Sequence, residues 1–224
     1  MAIENEPTSF TGCIREIVIN NRELKLTYCD SKIKFFIAKF IGNSYIKYTD
    51  PYYGKRDLQY SRISLNFTTN QTEGLIVWMG KGEDEDNDFL AIGLANGTLK
   101  VVINLGERIS VPLIHSKYST CCDERWHFVT VVQNQTCIKV YLDEELILFE
   151  DIDPHRKYTA LNYGGICYFG GFEIDNLPVS PKLLHFIRMQ SFSSYNFVIL
   201  QSSIRTEIEA GRKGVLGAKG ACLL

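Results

Sequence analysis

Apolar residues in this chain come in runs of four to eight, alternating with polar ones and separated by turn formers. That spacing belongs to half-buried β-strands rather than to helices. It predicts strands at residues 14–20, 36–41, 44–48, 62–69, 74–80, 108–114, 126–133, 137–151 and 165–172. Between 88 and 106, Leu90, Ile92 and Leu94 alternate on the way out, Asn96-Gly97 supplies a two-residue turn, and Leu99, Val101 and Ile103 alternate on the way back. This is the pattern of a β-hairpin. A second hairpin is predicted around residues 143–145, with Val140 and Leu142 on one arm and Leu146 and Leu148 on the other. No segment before about residue 180 sustains a 3.6-residue period between two caps. The chain therefore reads as all-β, an antiparallel sandwich or jelly roll.

Trp126 lies at a parity unlike that of Val129 and Val131. With Trp126 read as core and His127 as an outward strand residue, a bulge or an edge bend is predicted near His127. From residue 173 the pattern breaks at Pro178 and Pro181, and the last dozen or so residues, rich in glycine and basic side chains, are expected to be disordered. Residues 183–204 fit either a strand pair or a helix, and 183–200 is too polar for a membrane span.

At 224 residues and 45% hydrophobic content the chain can bury one substantial core. A net charge of −2 with scattered Lys and Arg offers no field for nucleic acid. The seven cysteines form no CxxC pairs of the kind that close a zinc site. Four Asn-x-Thr sequons begin at Asn66, Asn70, Asn96 and Asn134. Cysteines and sequons together favour a secretory origin and disulfides. The first ten residues lack the pattern of a leader, which predicts an internal fragment or a variant product. Cys222 is third from the end, so ACLL is no prenylation box.

The candidate chemistry lies at the mouth of the first hairpin. Asp88 closes an acidic run, EDEDND at residues 83–88, with no neighbouring cation along the chain. Its carboxylate is suited to a hard cation, and Asn162, just ahead of the run ICYFGG, is a second oxygen donor. The remaining acids cluster in loops or stand singly, which argues against the paired carboxylates of a glycoside hydrolase.

Five motifs occur in order: GLIVWMG, NDFLAIGLANGTLKVVINLGE, ERWHFVTVV, KVYLDEE and ICYFGG. Together they resemble a laminin G-like domain over residues 38–172. The resemblance implies a concanavalin-type jelly-roll sandwich and a domain at 36–174. It implies calcium held by Asp88, Asn162 and the main-chain carbonyls of Leu105 and Ala160. It further implies recognition of acidic glycan, as on α-dystroglycan, by a noncatalytic extracellular module, with Lys81, Arg108, Arg156 and Lys157 as the available basic residues. A truncated, nonfunctional variant is the competing reading.

FTGCIREIVINNREL at 10–24 resembles the closing strand of a preceding repeat, so residues 1–29 are assigned to a neighbour, and the resemblance implies a Cys13–Cys29 disulfide. Two features depart from the family. The repeats follow one another without an EGF-like module between them, and no closing strand of the form FxGxIxxV follows GGFE. The domain is therefore expected to lack its last strand, with 175–224 as a divergent tail. Because 10–19 carries the missing pattern, an alternative is that this segment folds back to complete the sheet. Cys121, Cys122, Cys137, Cys167 and Cys222 remain without assigned partners.

Overall fold

The computed structural model describes residues 10–24, 37–41, 44–80, 88–106, 114–119, 121–171, 206–210, 214–219 and 222–223. The strands are β1 (Thr11–Ile19), β2 (Arg22–Glu23), β3 (Ile37–Ile41), β4 (Tyr45–Thr49), β5 (Ser61–Thr68), β6 (Gly74–Met79), β7 (Phe89–Ala95), β8 (Thr98–Asn104), β9 (Ile114–Ser119), β10 (His127–Gln133), β11 (Cys137–Leu142), β12 (Glu145–Asp151), β13 (Ile166–Phe169), β14 (Thr206–Ala210), β15 (Gly214–Lys219) and β16 (Cys222–Leu223). They build two antiparallel sheets, one ordered β12-β11-β10-β5-β1-β3-β16 with β2 beside β1, the other β14-β15-β4-β13-β6-β7-β8-β9. Among the described residues no helix is long and apolar enough to cross a membrane.

Period-two alternation explains the layering. Ile63, Leu65 and Phe67 of β5, Val129 and Val131 of β10, and Ile138 and Val140 of β11 turn inward. They join Ile76, Ile92, Val101, Ile103 and Phe169 of the other sheet in one core. Both predicted hairpins are present. Asn96 and Gly97 take φ of 54° and 73°, and Asp143 and Glu144 take 50° and 71°, the left-handed pair that matches strand twist.

The most consequential placement is that of β1. Ile14 pairs with Ala38 of β3 on one side and with Phe67 of β5 on the other. The segment resembling a closing strand thus sits inside the sheet. Phe10 N–H donates to the Gly170 carbonyl at 3.0 Å, so β1 begins beside the end of β13. Phe10, Ile14, Ile17 and Ile19 are at most 1% exposed, and each full burial is worth about 1.5–3 kcal/mol. The ring of Phe10 meets Phe40 and Phe67 edge-on at 6.0 and 6.4 Å.

Three expectations change. Trp126 is 36% exposed under the Arg15 guanidinium, whereas His127 is 9% exposed and faces Phe67. His127, Val129 and Val131 therefore share the inward parity, and β10 runs without a bulge along β5. Register shifts fall instead in the β1–β5, β6–β7, β8–β9 and β11–β12 pairings, with the extra residues on β1, β6, β9 and β12. The strand expected at 108–114 lies largely outside the described residues, and β9 begins at Ile114, extending through the polar HSKYS. In the tail, β15 pairs with β4 and β16 with β3, where disorder was expected for the last dozen residues.

Candidate functional site

The β7–β8 register runs from Ala95 opposite Thr98 to Phe89 opposite Asn104. The next position places Asp88 across from Leu105 at the open end of the hairpin. Leu105 is buried, and Asp88 is half-buried. One carboxylate oxygen of Asp88, Oδ2, accepts the main-chain N–H of Asn162 at 2.6 Å. Burial pushes the Asp88 carboxyl above its ordinary value, and the Asn162 N–H partly offsets this. No ion pair to Asp88 occurs among the described residues. A carboxylate drawn partly out of water without a counter-charge favours a cation beside it.

Alternate residues of the following loop hold it against the core. Leu161 and Tyr163 are 1% exposed, while Ala160 is partly buried and Asn162 exposed. Leu161 N–H donates to the Leu58 carbonyl at 3.0 Å, and Asp50 N–H to the Gly165 carbonyl at 2.7 Å. The Tyr163 hydroxyl donates to Asp50 Oδ2 at 3.2 Å. The same oxygen is paired with Arg56 Nε, and Asp50 Oδ1 accepts Tyr52 N–H at 3.0 Å. Upstream, fully buried Gln133 donates to the Thr159 and Asn134 carbonyls at 2.6 and 3.0 Å. Its carbonyl oxygen accepts the Ser61 hydroxyl at 2.8 Å. Tyr53 donates from its hydroxyl to Asn162 Oδ1. These tethers carry Ala160 and Asn162 on the outward parity of one loop, with Asn162 against Asp88.

The four residues that the resemblance names as ligands lie on two segments that meet at the hairpin mouth. Asp88 and Asn162 are joined, Leu105 faces Asp88 across the hairpin mouth, and Ala160 lies two residues before Asn162 on the same loop. Among the described residues no three His, Cys, Asp or Glu side chains gather to hold a metal. An ion here would draw on one carboxylate, a side-chain amide, main-chain carbonyls and water. That mixture of hard oxygens fits calcium. Sequence reading missed Asp50, Tyr53, Arg56, Gln133 and Tyr163. The one local signal was Asp50-Pro51, a turn start that marks where the chain reverses.

Other sequence-predicted residues lie elsewhere. Cys13, Cys121, Cys122, Cys137 and Cys167 carry free thiols, and Cys29 lies outside the described residues. Burial raises the Cys121 thiol to about 11, with Asp143 nearby adding to the effect. Cys13 and Cys222 both pair with Lys39, from opposite sides of β3. Two strand spacings, about 9.5 Å, separate them, too far for a disulfide. Asn96 is exposed at its hairpin tip. Asn134 Oδ1 accepts Thr136 N–H, the Thr136 hydroxyl and Cys137 N–H at 2.9, 3.0 and 2.8 Å. Asn70 Nδ2 donates to Glu124 at 3.1 Å, and Asn66 Nδ2 to Glu16. His127 bridges two carboxylates, Nδ1 to Asp143 at 2.8 Å and Nε2 to Asp123 at 3.0 Å.

Comparison with known proteins agrees with this architecture. Residues 67–192 match the family model of the laminin G domain. Protein eyes shut homolog of Homo sapiens is 43% identical over an alignment covering 77% of this chain and 8% of that protein. The Danio rerio protein of the same name is 52% identical, covering 61% of this chain and 5% of the relative. Pikachurin of Homo sapiens is 32% identical over 61% of this chain and 13% of its own length. The chain thus spans less than a tenth of the eyes shut relatives quoted. Among solved structures, domains LG4-5 of the mouse laminin α1 chain superpose with a TM-score of 0.51 at 16% identity, over 77% of this chain and 38% of that one. With more than half of its residues matched by the family model, in a two-sheet antiparallel sandwich, this chain belongs to the laminin G domain family.

Proposed function

We propose that this chain is a noncatalytic extracellular binding module that recognises acidic glycan with the help of calcium at the Asp88 rim. The convergence of Asp88 and Asn162, 74 residues apart, in a laminin G sandwich carries this reading. Asp88 and Asn162 act as side-chain ligands, the Leu105 and Ala160 carbonyls as main-chain ligands, and water completes six to eight oxygens. A single side-chain charge makes the site weak, in about the 10⁻⁴–10⁻³ M range of extracellular modules. Bound calcium supplies a positive centre for a carboxylate or sulfate of the glycan. Arg156 and Lys157 precede Asn162 by six and five residues and are the described basic residues nearest to it along the chain.

Kinship with eyes shut and pikachurin supports an extracellular setting in the photoreceptor matrix, serving vision, with a glycoprotein such as α-dystroglycan as partner. Secretion would bring N-glycans to the sequons. Asn96 and Asn134 suit them best, because the Nδ2 groups of Asn66 and Asn70 are spent on carboxylates. The same oxidising surroundings would favour the Cys13–Cys29 disulfide. A hydrolase reading has less support: among the described residues, Asp123 and Asp143 approach one group, and that group is His127, which engages both.

Calorimetric titration of the purified chain with calcium, beside Asp88→Ala, tests the proposal. Heat of binding in the parent and none in the variant is expected. Identical heats would overturn the calcium site.

A further inference from the structure

Tyr53 opens the short 3-10 turn Tyr53–Lys55 between β4 and β5, and neither the hairpin motif nor the expected ligand set gives it a role. Its ring is held from two sides. Tyr163 meets it edge-on at 5.0 Å and 71°. Gly165, with φ of 76°, lies so close that an added Cβ would come within 2.9 Å of the Tyr53 Cβ. The phenol oxygen donates to Asn162 Oδ1 and faces the main-chain N–H of Gly164. Asn162 in turn donates its main-chain N–H to Asp88 Oδ2 at 2.6 Å. A chain of contacts therefore runs from a packed aromatic ring, through an exposed asparagine, to the half-buried carboxylate.

We propose that Tyr53 is the positioning residue of the cation rim, holding the Asn162 side chain in the rotamer that presents its carbonyl oxygen beside Asp88. The inference rests on the calcium reading above. An exposed asparagine left to itself samples several rotamers, and ordering it on ion binding weakens affinity. A hydrogen bond to one lone pair of Oδ1 fixes that rotamer and leaves the second lone pair for the ion. Asp88 is arranged in the same way: Oδ2 is engaged by the Asn162 N–H, and Oδ1 takes no hydrogen bond among those described. The packing of Tyr53 against Tyr163 and Gly165 supplies the rigidity that an exposed loop lacks. Outer-shell partners of this kind typically change metal affinity about 10- to 100-fold when removed.

The test is a double-mutant cycle read by calorimetric titration with calcium chloride, using the parent chain, Tyr53→Phe, Asn162→Ala and the double variant. Asp88→Ala serves as control, and thermal unfolding in chelator reports the fold. Tyr53→Phe keeps the ring and its packing, and is expected to weaken calcium binding about tenfold. In the Asn162→Ala background, Tyr53→Phe is expected to change nothing further, since Tyr53 acts through Asn162. A purely structural role would lower the unfolding midpoint and leave the cycle additive. Unchanged affinity in Tyr53→Phe, or an undiminished loss in the Asn162→Ala background, would overturn the positioning role while the calcium site stands. Absence of calcium heat in the parent chain would overturn both. Should Tyr53→Phe fail to fold, Asn162→Ala alone decides: affinity equal to that of the parent would remove the group through which Tyr53 is said to act.

Discussion

The Asn162 main-chain N–H donates to the Asp88 carboxylate at 2.6 Å, joining the mouth of the β7–β8 hairpin to the loop that leads into β13. The bond neutralises only part of the cost of a half-buried carboxylate, which burial holds above its ordinary pKa. It leaves the second carboxylate oxygen without a hydrogen bond among those described.

Calcium should therefore stabilise the fold by mass action. At ten times the dissociation constant the gain is about 1.4 kcal/mol, a rise in melting temperature of about 3–6 °C for a domain of this size. Asp88→Asn should abolish the rise. Thermal unfolding in chelator and in 10 mM calcium, as a rough extracellular-range concentration, measures both; an equal shift in parent and variant would count against the site.

β1 should be indispensable to the fold. Deleting residues 1–24 removes Phe10, Ile14, Ile17 and Ile19 from the core and exposes the backbone edges of β3 and β5. Loss of cooperative thermal unfolding is expected. The milder Ile14→Ala should cost about 2–5 kcal/mol in urea denaturation. An unchanged midpoint after deletion would show that the strand is dispensable.

The Asp50–Arg56 pair should behave as a buried ion pair. The Asp50 side chain is 0% and that of Arg56 9% exposed. Removing one partner strands a charge, so Arg56→Leu should destabilise by about 3–5 kcal/mol. Adding Asp50→Asn should recover part of that loss, because the stranded charge disappears while a hydrogen-bond acceptor for Tyr163 remains. A greater loss in the double variant would refute this account.

Stability should fall as pH rises above the ordinary histidine range, through His127. Burial alone would lower its pKa, but the hydrogen bonds to Asp143 and Asp123 outweigh burial and hold it above its ordinary value. The contribution is complete below the unfolded pKa of about 6.5 and is lost as pH rises through the higher folded value. His127→Gln should flatten the pH dependence of the melting temperature above that point. Parallel curves for parent and variant would rule the bridge out as its source.

Much of the architecture was legible because β-structure imposes a period of two and turns demand particular residues. Leu90 to Ile103 declared its hairpin through Asn96-Gly97, and the inward faces of β5, β10 and β11 follow their alternation. The misreading around Trp126 came from ranking residues by size. Trp126 is accommodated at the surface under Arg15, whereas His127 is buried because two carboxylates satisfy both ring nitrogens. Neither partner is visible from the local pattern alone.

The candidate site divides in the same way. Asp88 and Asn162 stood out as oxygen donors at the ends of recognisable strands, and family resemblance joined them. Asp50, Tyr53, Arg56 and Gln133 carried no comparable mark, since a buried polar residue is recognisable only by its partners, and theirs lie in other segments. By itself the sequence determined an all-β sandwich, its hairpins and the donors available to a cation, because these depend on local alternation and turn chemistry. Tertiary structure alone decided that Phe10 to Ile19 fills the middle of a sheet, that Tyr53 meets Asn162 and that Asp50 meets Tyr163, because long-range pairing and the satisfaction of buried polar groups depend on which segments meet.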